Sequence, residues 1–133
     1  LAIASGEALD FSQQEVNFNG HAMEARVYAE DPETFIPSPG TITQLTFPER
    51  DPHIRIDHAL QENVVVPPYY DPMLAKVIAW GEDRASALDR LHRALTEFQV
   101  EGVKTTTPLN LRILEHPVFR QGDIDTGFID KVL

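Results

Sequence analysis

Residues 73–98 read MLAKVIAWGEDRASALDRLHRALTEF, and within them the hydrophobic period changes once. Met73 to Trp80 is an apolar run with a single charge, Lys76, inside it, which predicts a strand. Asp83 then stands where a helix N-cap belongs. Ala87, Leu88, Leu91, Ala94, Leu95 and Phe98 recur at helical spacing, so an amphipathic helix follows, with Arg84, Asp89, Arg90 and Arg93 on its wet side.

Upstream of this stretch the pattern is that of strands. In residues 20–30, His21, Met23, Ala25, Val27 and Ala29 alternate with Ala22, Glu24, Arg26, Tyr28 and Glu30, which predicts a half-buried strand ended by Asp31-Pro32. Residues 14–18 read as a short entering strand. Ile36 to Gly40 holds two prolines and is irregular. Thr41 to Phe47 reads as one strand, and His53 to His58 and Asn63 to Val66 as two more. Downstream the pattern is helical. Thr107 is expected to cap a short helix with Pro108 at its first position and Leu109, Ile113 and Leu114 buried. His116-Pro117 ends it, and Phe128, Ile129 and Val132 in the tail are helically spaced. Strands first and helices later give an α+β fold: a mostly antiparallel sheet with a few packed helices.

The 133 residues suit one domain. A net charge of −10 lacks the cationic footprint that phosphates demand, which argues against nucleic acid and, more weakly, against anionic membrane surfaces. No apolar run approaches a membrane span, and no signal sequence is visible at Leu1 to Gly6. The absence of cysteine excludes disulfides and thiolate chemistry and fits a cytoplasmic location. Leu1, Ile3 and Ala4 read as the end of an apolar helical turn stopped at Gly6, so the chain is expected to be a piece of a longer polypeptide.

Motifs for phosphate cradles are missing: there is no GxxxxGK[ST] and no GxGxxG. The five histidines have no metal-ligand spacing. His53 and His58, five apart on a strand, fall on opposite faces, so no metal site is expected. Glu24, Arg26 and Glu30 share a strand face, either as a charged site wall or, the preferred reading, as an ion-pair set on a wet or inter-domain face. Arg55 and Asp57 share the face opposite Ile54 and Ile56. On residues alone a surface ion pair there outweighs a guanidinium aimed at an oxyanion. Val66 to Met73, with Pro67, Pro68 and Pro72 framing Tyr69 and Tyr70, reads as a stiff connection that seats a tyrosine on the core.

Taken in order, several segments resemble one family, the biotin carboxylases, in their C-terminal domain. Gly20-His-Ala-Met-Glu-Ala-Arg26 with Ala29-Glu-Asp-Pro32 is followed by Phe35-Ile-Pro-Ser-Pro-Gly40. Ile54-Arg-Ile-Asp57 and Tyr70-Asp-Pro-Met-Leu-Ala-Lys76 come next. Gly81-Glu-Asp-Arg84, Gly102-Val-Lys-Thr105 and Asn110 complete the series. The resemblance implies that residues 20–133 are this domain, of the type with a rudiment of the single hybrid motif. Residues 1–19 would then be the tail end of the preceding ATP-grasp region and an entry segment.

The family forms N1-carboxybiotin from biotin, bicarbonate and MgATP within acyl-CoA, pyruvate and related carboxylases. The resemblance implies that MgATP is held by upstream domains absent from this sequence, so the fragment alone is expected to be inactive. It gives Arg55 the place of the arginine that contacts biotin and stabilises its enolate. Arg50 is the rival in another register, because Glu49 to His53 replaces glycines common in the family. It also implies a homodimer, with Trp80 and Arg84 in the matching region. Further partners would be the chain's own ATP-grasp domains, a biotin carboxyl carrier protein or domain and a carboxyltransferase. The alternatives are a non-catalytic assembly module, and the equivalent domain of another ATP-grasp enzyme such as a purine-pathway carboxylase. The final carboxyl acceptor is not legible in these residues.

Overall fold

The computed structural model describes residues 1–132; Leu133, the last residue of the expected domain, and the side chain of Val132 lie outside the described residues. A three-stranded antiparallel sheet carries the domain. Its central strand is β6 (Met73–Gly81), flanked by β1 (His21–Tyr28) and β4 (Ile54–His58). The registers align Ala25 with Val77 and Val77 with Ile56. Side chains on a strand alternate between faces, so Ala75, Val77 and Ala79 join Ala25, Val27, Ile54 and Ile56 on one side of the sheet. Helix α1 (Arg84–Glu97) covers that side with Ala87, Leu88, Leu91, Ala94 and Leu95, all buried. Asp83 caps it as expected, its Oδ1 accepting from Ser86 N at 2.8 Å.

The remaining strands form two short antiparallel ribbons. β2 (Gly40–Thr41) pairs with β5 (Val65–Val66), and β3 (Gln44–Thr46) pairs with β7 (Gln99–Glu101). The single strand expected over Thr41 to Phe47 is therefore divided. Its backbone changes partner at Ile42, whose N–H donates to Val64 O, and Thr43, whose N–H donates to Glu101 O. Gly102 makes this junction feasible: its φ is 96°, and an added Cβ there would stand 2.0 Å from Thr41 O.

Residues 14–18 form no strand. Ser12 and Glu15 instead close a capping box on a 3-10 turn over Gln13–Glu15, and Val16 and Phe18 stay exposed. Beyond β7 come α2 (Thr107–Glu115), α3 (Pro117–Gln121) and α4 (Phe128–Val132). The N-cap of α2 is Thr106, one residue before the expected Thr107. Leu109 and Leu114 are buried, while Ile113 is half-buried. On α1, Asp89 and Arg93 are on the wet side, but Arg84 and Arg90 are half-buried because their guanidinium groups reach backbone carbonyls of Phe119 and Trp80.

The loop after β1 is fastened by Asp31. Its carboxylate accepts from the N–H groups of Glu33 and Thr34, and from Lys104 Nζ at 2.6 Å. These contacts, Lys104 first, hold its pKa well below the ordinary aspartate range. The loop places Phe35 in a left-handed conformation, φ 58°, a strained state for an aromatic residue.

Two stability outcomes follow. Leu91, with no exposed surface, sits at the centre of the helix–sheet seam, and Leu91→Ala should cost about 2–5 kcal/mol in chemical denaturation. A folded-state pKa held low adds stability above the unfolded value that is lost as the pH falls. Lys104→Met should therefore lower stability at neutral pH. The gap between variant and wild type should close as Asp31 protonates below its ordinary value of 3.8, as read by unfolding curves at a series of pH values.

Candidate functional site

The face of the three-stranded sheet turned away from α1 has no layer of this chain over it among the described residues, and the polar strand positions collect there. The register sets Glu24 opposite Ile78 and Ile78 opposite Arg55; in the next row Arg26, Lys76 and Asp57 align. Arg26 Nε donates to Glu24 Oε1 at 3.1 Å. Arg55 grips Asp57 with two parallel bonds of 2.8 Å, from Nε to Oδ1 and from Nη2 to Oδ2. The pairing raises the Arg55 pKa and lowers that of Asp57, to which Lys76 adds a smaller favourable field. Tyr28 and then Glu24 likewise raise the pKa of Arg26. Both arginines are fixed cations across the working pH range.

The two arginines differ in what lies beside them. A cleft of about 380 Å³ runs between β1 and α2, and Glu24, Arg26, Tyr28, Glu30 and Phe35 stand on its walls over an apolar floor. Arg55 is not among the lining residues, and its side chain is 75% exposed. The structure thus brings together Glu24, Arg26 and Glu30, the trio for which the sequence favours a plain ion-pair set, at a concave site. The same cleft includes Thr106 and Asn110. Thr106 is hidden within a run of three threonines, and only the folded position of α2 reveals it.

Trp80 is half-buried. Its Nε1 donates to Asn19 O at 3.0 Å, and its ring lies 5.1 Å from that of His53. Arg84 donates to Phe119 O at 2.6 Å and lies over the Phe119 ring at 5.2 Å, so its head group is engaged within the chain. Arg50 lines a separate polar cleft with Asp51 and Arg93. Tyr69 and Tyr70 do not seat on the core: they are 85% and 79% exposed, in a turn whose far end is tied by Met73 N donating to the Asp71 carboxylate at 2.8 Å. His53 meets Trp80 and His58 meets Phe47, on opposite faces of β4.

Among the described residues there is no group of three or more His, Asp or Glu placed to hold a metal ion, and no helix is long and apolar enough to cross a membrane. What the outer face offers is a charge-fixed guanidinium at the mouth of a cleft, suited to an anionic oxygen.

Comparison with known proteins agrees with this architecture. The profile of the biotin carboxylase C-terminal domain matches residues 24–131. The biotin carboxylase of Halalkalibacterium halodurans is 46% identical over 133 residues, which is 100% of this chain and 29% of that protein. Biotin carboxylase 2 of Bacillus subtilis is 44% identical over 133 residues, 100% of this chain and 30% of that protein. Among solved structures, the biotin carboxylase domain dimer of Hydrogenobacter thermophilus 2-oxoglutarate carboxylase, in complex with MgADP, ADP and bicarbonate, superposes with a TM-score of 0.94. It is 40% identical, covering 98% of this chain and 29% of that one. The chain thus spans under a third of the length of these relatives, and within that span it belongs to the biotin carboxylase C-terminal domain family.

Proposed function

We propose that this chain is the C-terminal part of an ATP-dependent biotin carboxylase, and that the outer face of its sheet supplies the cation that stabilises the biotin enolate. Carboxylation at N1 requires loss of the ureido proton, which drives negative charge onto the ureido oxygen; a pre-positioned guanidinium lowers that barrier. The residue that carries the reading is Arg55, which holds the arginine position of the Ile54-Arg-Ile-Asp57 stretch and is fixed on Asp57 by two bonds of 2.8 Å. Arg26, held by Glu24 on the wall of the cleft between β1 and α2, is the second reading.

MgATP and bicarbonate would be handled by ATP-grasp domains outside these residues, leaving the fragment alone inactive. Support for such a neighbour comes from Ile3, Leu9, Phe11, Val16 and Phe18, apolar side chains that stand in solvent here. A biotin carboxyl carrier, a carboxyltransferase and a cytoplasmic setting belong to the same proposal. So does a homodimer, since the Hydrogenobacter relative is a domain dimer. Trp80, partly exposed, is its proposed anchor, and Arg84, committed to Phe119, the weaker one.

The test is biotin-dependent ADP release by the full natural chain. Arg55→Ala should lower it on the order of a hundredfold with ATP binding intact, and Arg26→Ala far less. The reverse order would move the enolate contact to Arg26, and wild-type rates in both would leave the domain as an assembly module.

A further inference from the structure

Arg55 stands on β4, the edge strand across the sheet from β1. Its side chain is 75% exposed, so the close packing that fixes a core side chain is absent. A long side chain in that setting spreads over many rotamers and loses entropy when one is selected.

What selects it here is Asp57. Positions two apart on a strand return to the same face, so the short carboxylate rises beside the longer guanidinium. It accepts from Nε and from Nη2, both at 2.8 Å. Two parallel charge-assisted bonds define a plane as well as a distance. Arg26, by contrast, bonds Glu24 through Nε alone at 3.1 Å, which sets a distance but no plane. Asp57 is itself held. Its side chain is less exposed than that of Arg55, and it lies in register with Lys76 of the central strand. Ile54 and Ile56 before it pack on the core. His58 after it stacks on Phe47, with ring centroids 4.6 Å apart, and its Nδ1 accepts from Leu60 N at 3.1 Å. The end of β4 that carries Asp57 is therefore anchored.

The same bonds decide which edge of the guanidinium is available. Arginine carries five N–H donors in one plane. Asp57 takes the Nε hydrogen and the Nη2 hydrogen beside it. Both hydrogens of Nη1 and the outer hydrogen of Nη2 remain. The free edge is thus the Nη1–Nη2 fork, turned away from Asp57, and it can meet one anionic oxygen with two converging N–H groups.

We propose that Asp57 is a positioning residue: by occupying the Nε side of Arg55 it holds the Nη1–Nη2 fork outward as the edge that meets the ureido oxygen. This rests on the reading of Arg55 as the enolate-stabilising cation. Asp57 touches no substrate and acts through Arg55. Its negative charge weakens the field of the arginine, and the cationic Lys76 across from it offsets that loss.

The experiment uses the full natural chain, with biotin-dependent ADP release measured alongside ATP hydrolysis in the absence of biotin. Asp57→Asn keeps the size of the side chain and leaves one acceptor oxygen in place of two. It should lower kcat and kcat/KM for biotin together, on the order of tenfold. A misaligned group loses rate steeply, and the charge it meets exists only in the transition state. KM for ATP and the biotin-independent rate should stay put. Asp57→Glu, which can still accept both bonds, should recover most of the rate. In an Arg55→Ala background Asp57→Asn should cost nothing further, since residues that act as a unit are non-additive. The positioning role is overturned by a wild-type or faster rate in Asp57→Asn, by Asp57→Glu as slow as Asp57→Asn, or by an additive loss in the Arg55→Ala background. Should the Asp57→Asn protein fail to fold, Asp57→Ser decides the question by the same readouts. Wild-type activity in Arg55→Ala overturns the underlying reading instead, and that outcome is seen in the single variant before any cycle is drawn.

Discussion

The seam between α1 and β6 is where the domain is decided. Ala75, Val77 and Ala79 on the strand meet Ala87, Leu88, Leu91, Ala94 and Leu95 on the helix, all buried. Alanines on both sides let helix and sheet approach closely, and the leucines fill what remains; each buried leucine contributes about 1.5–3 kcal/mol. Because side chains alternate along a strand, sealing one face dictates the chemistry of the other. Positions 76 and 78 on β6, and their neighbours on β1 and β4, are committed to the opposite side as soon as 75, 77 and 79 are committed to the core. The site face follows from the core face by parity.

That parity explains which parts of the molecule the sequence reveals. β1, β4, β6 and α1 have patterns long enough for period two or period 3.6 to show, and each forms close to where the pattern places it. β7 is not legible: Gln99–Glu101 has three residues and one partly buried side chain, Val100, and it exists because β3 lies alongside. The break in the Thr41 to Phe47 run is equally hidden, since β-branched residues favour extended backbone without specifying which neighbour they pair with. Residues 14–18 show the opposite failure, where apolar residues at 16 and 18 suggest a strand that has no partner among the described residues.

The candidate site divides along the same line. Alternation alone assigns Glu24, Arg26, Arg55 and Asp57 their common face. Nothing local distinguishes a surface pair from a wall of a cleft, because the other wall is α2, some 80 residues downstream. The distance in sequence between Arg26 and Thr106 or Asn110 is what keeps the cleft beside Arg26 out of view. For Tyr69 and Tyr70, proline framing does not specify direction, and both rings stand in solvent.

The hydrogen-bonded contact between α2 and β1 also has a kinetic side. It joins residues 78 and 80 positions apart in sequence, whereas α1 and β6 are neighbours in the chain. Long loops close late, so the helix–sheet seam is expected to assemble while the outer rim of β1 is still bare. During that interval the unpaired N–H of Tyr28 and carbonyl of Arg26 are a template for any passing strand, including one from another nascent copy. The arrival of Thr106 then covers that rim, so the contact that completes the edge of β1 in the finished protein also removes an exposed pairing surface.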